Sequence, residues 1–412
     1  MSYHDHHLHP FGYASLVNGL ELMDSVDLDD VMRRVVAHGR EIDGPIIGQR
    51  LNDEGIRELR LPTAVDIDDV VSDRPVLLYR YCGHIAVANS AAMALAGLDA
   101  DTTDPKGGTF DRDATGRPNG ILRETAVTAV SAVLEPITPA PSDEDILSAL
   151  ATLPEMGIGS ITGMVSVEDS VWCGVGDELE TLLRIAPRLP LAIDVLVITE
   201  KPGSLVAAKE RLARSEGPVR FEGWKSFSDG SLGGHTAAMN EPFSDVPTKR
   251  GQVRLDPEHA RLMGKVSAAE DGSVAIHAIG DRANDLVLDV FADLIRDGVE
   301  PERLRVEHAS VLTWPTIERM AHLGVTASVQ PAFLASEQTW LEKRLGPERM
   351  QNAYPFRSLL EAGVPLLGGS DSPVELPDPE TGIHAAVDRH GINPDQALTR
   401  EQAEALFAPP PR

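Results

Sequence analysis

Ser273-Val274-Ala275-Ile276-His277-Ala278-Ile279 is a short apolar run, Asp281 to Ile295 follows with helical periodicity, and Leu304-Arg305-Val306-Glu307-His308-Ala309-Ser310 is a second run of the first kind. Runs of this length, rich in β-branched residues, read as buried strands. A helix between two of them is a crossover, so the strands are parallel. The same unit recurs outward from this stretch. The further apolar runs are Tyr3 to His9, Gly159 to Val165, Leu191 to Thr199, Val219 to Asp229, Thr326 to Phe333 and Val364 to Asp371, making eight in all. Helical periodicity fills several intervals, as in Leu205 to Arg214, Pro257 to Glu270, Thr316 to Leu323 and Thr399 to Phe407. Eight strands alternating with helices predict an α/β chain folded as a (β/α)8 TIM-type barrel.

One interval breaks the rhythm. The first two runs are separated by far more chain than a crossover helix needs. Residues 10–140 are therefore read as an inserted subdomain within a single barrel spanning 1–412. It has its own apolar material, Val76 to Tyr79 and Ile85 to Leu98, and a polar, proline-bearing return, Thr138 to Asp145. A segment that leaves strand one at its C-terminal end emerges where barrel enzymes keep their sites, so a lid is its expected role.

Composition excludes several function classes. With 37 Lys plus Arg against 64 Asp plus Glu, the net charge of −27 repels nucleic-acid phosphates and anionic lipid. Only two cysteines occur, Cys82 and Cys173, too few for a disulfide framework; Cys82 is read as a structural thiol. No apolar run reaches membrane-spanning length, and the first residues have neither the basic nor the apolar region of a secretory signal. The expected location is the cytoplasm and the expected partner a small-molecule substrate; the sequence leaves room for a homo-oligomer.

The candidate site lies at the ends of the runs. His7 and His9 are two apart on an extended segment and share a face, so two imidazoles can grip one ion; with His4 and His6 they also read as a polar run at a chain end. Lys225 lies inside the fourth run, where an ammonium is costly to bury. Either a carboxylate such as Asp229 or Glu222 pairs with it, or burial favours the neutral amine, which takes up carbon dioxide to become a carbamate bridging two metal ions. His277 and His308 lie near the C-terminal ends of the fifth and sixth runs at the same height; each alone reads more readily as a core histidine. Asp371 follows the eighth run, in Gly369-Ser370-Asp371-Ser372-Pro373, where an Asp is also a common cap or turn residue. Glu307 and Asp281 are candidates to orient the imidazoles.

Taken in order, Asp5-His6-His7-Leu8-His9, Gly83-His84-Ile85-Ala86-Val87-Ala88-Asn89-Ser90, Lys225 to Ala238, His277-Ala278-Ile279-Gly280-Asp281-Arg282-Ala283, Val306-Glu307-His308-Ala309 and Gly369 to Pro373 resemble the amidohydrolase superfamily, in particular its YtcJ-like branch, amidohydrolase family 3, which includes N-substituted formamide deformylases. The resemblance implies one or two divalent ions, usually zinc. It places His7 and His9 on one ion, His277 and His308 on the other, a carboxylated Lys225 between two Zn2+, and Asp371 as ligand and proton shuttle. The donor set suits zinc and leaves manganese, iron and nickel open. The implied reaction is hydrolysis of a non-peptide, amide-type C–N bond. Arg80, Tyr81, His84 and Asn89 are candidates to contact substrate and read equally as core packing or capping residues; His235, standing where relatives often have Arg, is a further candidate. Relatives carry a small β-sandwich built from both termini, expected to be absent here. A deaminase or phosphoesterase-like hydrolase on the same scaffold, and a metal-free binding protein, are the alternatives the sequence leaves.

Overall fold

The computed structural model describes residues 2–81, 83–105, 107–139, 141–168 and 177–410; Cys82 and Cys173 lie outside the described residues. The chain forms two compact units, Met1–Tyr13 with Ile146–Arg412, and Ala14–Asp145.

The first unit holds eight strands: β1 (Tyr3–Leu8), β2 (Ile158–Ser166), β3 (Ala192–Ile198), β4 (Val219–Phe227), β5 (Ser273–Ala278), β6 (Leu304–His308), β7 (Thr326–Val329) and β8 (Leu366–Gly368). They pair in sequence order, every pair parallel. A parallel bridge between Leu8 and Ser372 joins the two ends of the sheet, supported by His9 N–H donating to the Ser372 carbonyl at 2.9 Å and Asp371 N–H to the His7 carbonyl at 2.7 Å. The eight-run reading of the sequence and the barrel agree.

Local sequence explains the elements. β3, Ala-Ile-Asp-Val-Leu-Val-Ile, is buried over its last six residues, as a strand covered on both faces must be. The helix Asp281–Arg296 buries Val287, Leu288, Val290, Phe291 and Leu294 along one side. The helix Trp314–Leu323 starts at Thr313, whose hydroxyl accepts from Thr316 N–H, and ends at Gly324 in the left-handed region.

Several strands stop short of the predicted runs. β6 ends at His308 rather than Ser310, because His308 (φ 74°) and Ala309 (φ 46°) turn left-handed. The run Thr326 to Phe333 gives way after Val329, and Phe333 opens a helix, Phe333–Glu337. β8 occupies only Leu366–Gly368 of its run, and Asp371 beyond it has φ 57°. Gly369 must be glycine for lack of space: a Cβ there would stand 2.6 Å from the His7 nitrogen and 2.9 Å from Asp5 Oδ1. The backbone thus turns left-handed where β6 ends and at Asp371 in the loop after β8.

In the second unit a mixed six-stranded sheet runs Leu20–Glu21, Ile46–Leu51, Val76–Arg80, Ile85–Ala88, Pro118–Glu124, Gly108–Arg112 in spatial order. Separate apolar clusters form around Val35, Ile46 and Leu78, and around Leu77, Ala86 and Leu122. Alternate residues of the strand Val76–Arg80 therefore serve opposite faces. Among the described residues no helix is long and apolar enough to cross a membrane.

Candidate metal centre

β1 alternates two groups of polar residues. His4 is held by Ser160 Oγ at 2.7 Å and Thr162 Oγ1 at 3.0 Å, and His6 by the Ala408 carbonyl at 3.0 Å, so these two fasten β1 to its neighbours. Asp5, His7 and His9 take the other face. The Asp5 carboxylate accepts from His7 N–H at 3.0 Å and Ser370 N–H at 3.1 Å, binding the end of β1 to the loop after β8; its burial raises its pKa to about 6.

His7 Nε2 and His9 Nε2 stand 3.2 and 3.3 Å from the same oxygen, Asp371 Oδ1. One donor atom from each of the three residues fits within 4.8 Å. The His7 ring is 4.9 Å from the His308 ring, and His308 is 4.5 Å from His277. His277 lies 5.6 Å from the Phe227 ring, over which Lys225 Nζ sits at 3.7 Å. Every residue predicted as a metal ligand, His7, His9, Lys225, His277, His308 and Asp371, thus joins one continuous cluster, drawn from β1, β4, β5, β6 and the loop after β8.

Hydrogen bonds fix which ring nitrogen carries the proton. His7 Nδ1 is 2.5 Å from Glu307 Oε2, so Nε2 is directed to Asp371, where it is buried and makes no hydrogen bond. His308 Nδ1 is 2.6 Å from Gln330 Oε1, which can only accept; the His308 lone pair is on Nε2. His277 Nε2 faces the Gly230 carbonyl at 3.1 Å, placing its lone pair on Nδ1. Such partners set tautomer and ring orientation for a ligand.

The charges point the same way. Burial and the neighbouring His277, His7 and Lys225 hold His308 well below its ordinary pKa, hence neutral, the state a ligand needs. Burial alone would depress His7 too, but the charges of Asp371 and Glu307 outweigh it and raise its pKa. Burial would raise Asp371; the His7 charge instead keeps it well below the carboxylate range. One imidazole between two buried carboxylates calls for positive charge at that point. A buried, unbonded Nε2, imidazole lone pairs and a carboxylate are a donor set that a divalent ion fits.

Glu307 does what the sequence suggested for it: fully buried, it orients His7, and its other oxygen takes Arg305 Nε at 2.5 Å. Arg305 continues to the His6 carbonyl at 2.8 Å. Asp281 behaves otherwise, accepting from Asn240 N–H and Arg282 N–H, both at 2.8 Å. The carboxylate beside His277 is Asp229, 3.2 Å away, held by N–H groups of Ala238, Ile279 and Gly280 and pushed by burial to about 7. Asp229 is one of the two carboxylates that the sequence offered as a partner for Lys225. Gln330 and Phe333, which stacks on His308 at 6.1 Å, were not singled out in the sequence; a Gln followed by Pro after a strand carries no distinctive signal.

The candidate substrate contacts are divided between the two units. Arg80, His84 and Asn89 belong to the second unit. Asn89 is fully buried and caps a helix, its amide bonded to Val76, Ala92, Val71 and Arg74 backbone atoms. Arg80 Nε pairs with Asp53 at 2.6 Å, and His84 Nδ1 with Glu124 at 3.0 Å. His235, in the first unit, is left-handed at φ 58° and 3.1 Å from Asp245, which also holds Arg344; burial lowers its pKa to about 4.

Replacing Glu307 with Gln should keep the shape while removing the charge behind His7. The expected result is a 10- to 100-fold weaker hold on a divalent ion, measured as the chelator concentration that strips it. Unchanged affinity would deny Glu307 its orienting role.

The amidohydrolase family model matches residues 4–410. The Bacillus subtilis (strain 168) protein "Putative amidohydrolase YtcJ" is 33% identical over 98% of this chain and 75% of its own length. An N-substituted formamide deformylase of Arthrobacter pascens is 27% identical over 93% of this chain and 74% of its own. A metal-dependent hydrolase of Pyrococcus horikoshii OT3 superposes with a TM-score of 0.75 at 29% identity, over 98% of this chain and 79% of its own. With the barrel and its cluster of donors in place, the chain belongs to the amidohydrolase family and is a metal-dependent hydrolase.

Proposed function

We propose that this hydrolase cleaves a non-peptide, amide-type C–N bond in a small molecule, using two Zn2+ ions bridged by a carboxylated Lys225. The observation that carries it is the cluster of His7, His9, His277, His308 and Asp371, with the fully buried Lys225 beside His308. The 27% identical formamide deformylase lends the C–N bond its weight.

His7 and His9 would hold one ion, His277 and His308 the other, with the Lys225 carbamate and Asp371 completing the set. A divalent ion supplies Lewis acidity, making water acidic enough to ionise near neutral pH and polarising a carbonyl. Asp371, with Oδ1 at the two β1 imidazoles, takes a proton from the attacking water and returns it to the departing nitrogen. Glu307 and Gln330 keep His7 and His308 in the tautomers that leave Nε2 as donor. Asp229 and the Gly230 carbonyl orient His277.

The role of residues 10–140 as a lid rests on their place after β1 in the chain. The acidic composition argues against nucleic acid and membranes as partners, and a cytoplasmic enzyme of small substrates is part of the same proposal.

The test is a panel of N-formyl and N-acyl amides, carbamates, aminopurines and phosphate esters, assayed on untagged protein before and after removal of metal by chelation. Hydrolysis of amides, lost on chelation and restored by Zn2+, is expected. Turnover confined to aminopurines or phosphate esters would replace this reading with the deaminase or the phosphoesterase.

A further inference from the structure

A second group of donors stands on the surface of the first unit. His384 and Asp388 are four apart on the helix Pro379–Asp388 and share a face; His390 follows in the next turn. One donor atom from each lies within 4.8 Å of the other two. The His384 and His390 rings meet edge to face, centroids 5.8 Å apart at 83°, and Asp388 Oδ1 accepts from His390 N–H at 3.1 Å.

The backbone that brings His390 round is fixed from beneath. Arg389 (φ 68°) and His390 (φ 47°) are both left-handed, which reverses the chain directly after the helix. Arg389 between them is fully buried: Nε donates to the Ile392 carbonyl at 3.1 Å, Nη2 to the Tyr354 carbonyl at 2.9 Å, and the guanidinium lies 4.9 Å from the Phe356 ring. Its charge is thus committed to carbonyls inside the fold, while its two neighbours face outward with Asp388 exposed and His390 partly so. The helix is ten residues long, and its C-terminal carbonyls add partial negative charge at the same point.

We propose that His384, Asp388 and His390 form a second metal site, distinct from the barrel centre, for a late first-row divalent ion such as Ni2+, Cu2+ or Zn2+. Two imidazoles and a carboxylate are the donors these ions prefer over Mg2+ or Ca2+. Three protein ligands leave further positions open to water or to a group from another molecule. The bound ion would tie the last turn of the helix to the turn after it.

The probe is Ni2+ alone. Untagged full-length protein and a His384→Ala/His390→Asn double variant are dialysed to equilibrium against the same Ni2+ concentration, and bound metal is counted by mass spectrometry. Ala suits an exposed helical position and Asn tolerates the left-handed backbone at 390, so matching metal-free melting curves are expected. The parent should hold one Ni2+ more than the variant and be retained longer on immobilised Ni2+. Equal counts would overturn the proposal. Failure of the barrel reading would lower both counts together and leave the difference unchanged, so the two outcomes are separable.

Discussion

Asp371→Asn is expected to lower kcat by about 10²- to 10⁴-fold, the usual contribution of a positioned general acid–base group, without unfolding the barrel. The choice of Asn matters. Asp371 has φ 57°, a conformation Asn tolerates better than most residues, so the strained backbone after β8 is kept. The Asp371 N–H bond to the His7 carbonyl is a main-chain contact and survives too. The carboxylate charge between His7 and His9 is lost, and with it the ability to take and return a proton. Metal content by mass spectrometry, read beside kcat, separates the roles: full metal with lost turnover marks the proton shuttle, whereas lost metal marks a ligand. Turnover within a factor of two of the parent would remove Asp371 from the mechanism.

The cluster was readable because each ligand sits in a pattern with physical content. A His-x-His on a strand puts both rings on one side, and His277 and His308 end adjacent strands whose register places Ala278 opposite His308. Eight apolar runs gave the barrel for the same reason, since buried parallel strands are short and continuous. The strand ends were not readable. Left-handed conformations at His308, Ala309 and Asp371 break no propensity rule visible in the sequence, because they are imposed by the sheet's closure and by contacts such as that of Gly369 with His7. Asp281 and Asp229 show the same limit. Both are acidic residues just past a strand, and only the fold determines that Asp229 reaches His277 while Asp281 holds the Asn240 loop. Asn89 stayed open between binding and capping because an exposed Asn and a helix-capping Asn are alike in one dimension; its bond to Ala92 N–H is that of a cap.

Lys225 carries the second large effect, because its state decides what the centre can be. The side chain is fully buried, with Nζ 3.7 Å from the Phe227 ring centroid and close enough to Glu307 and His308 to lower the pKa of each. As an ammonium it would repel any ion held by His277 and His308. As a carbamate it would reverse sign and supply two oxygen donors. Substitution distinguishes the two with opposite signs. If Lys225 is a carbamate ligand, Lys225→Met, which roughly keeps the volume, should lose about one metal equivalent per chain and at least about 10²-fold in turnover. Lys225→Ala should do the same, but it also opens space beside Phe227. Acetate or propionate, entering that space as a free carboxylate, should then restore metal and activity in part in the Ala variant and not in the Met variant, where the space stays filled. If Lys225 is an ammonium, Lys225→Met removes an unfavourable buried charge next to the ion. Metal affinity should then rise or hold, and added carboxylate should do nothing. Metal counts on the two variants, with and without acetate, decide between these outcomes before any substrate is known.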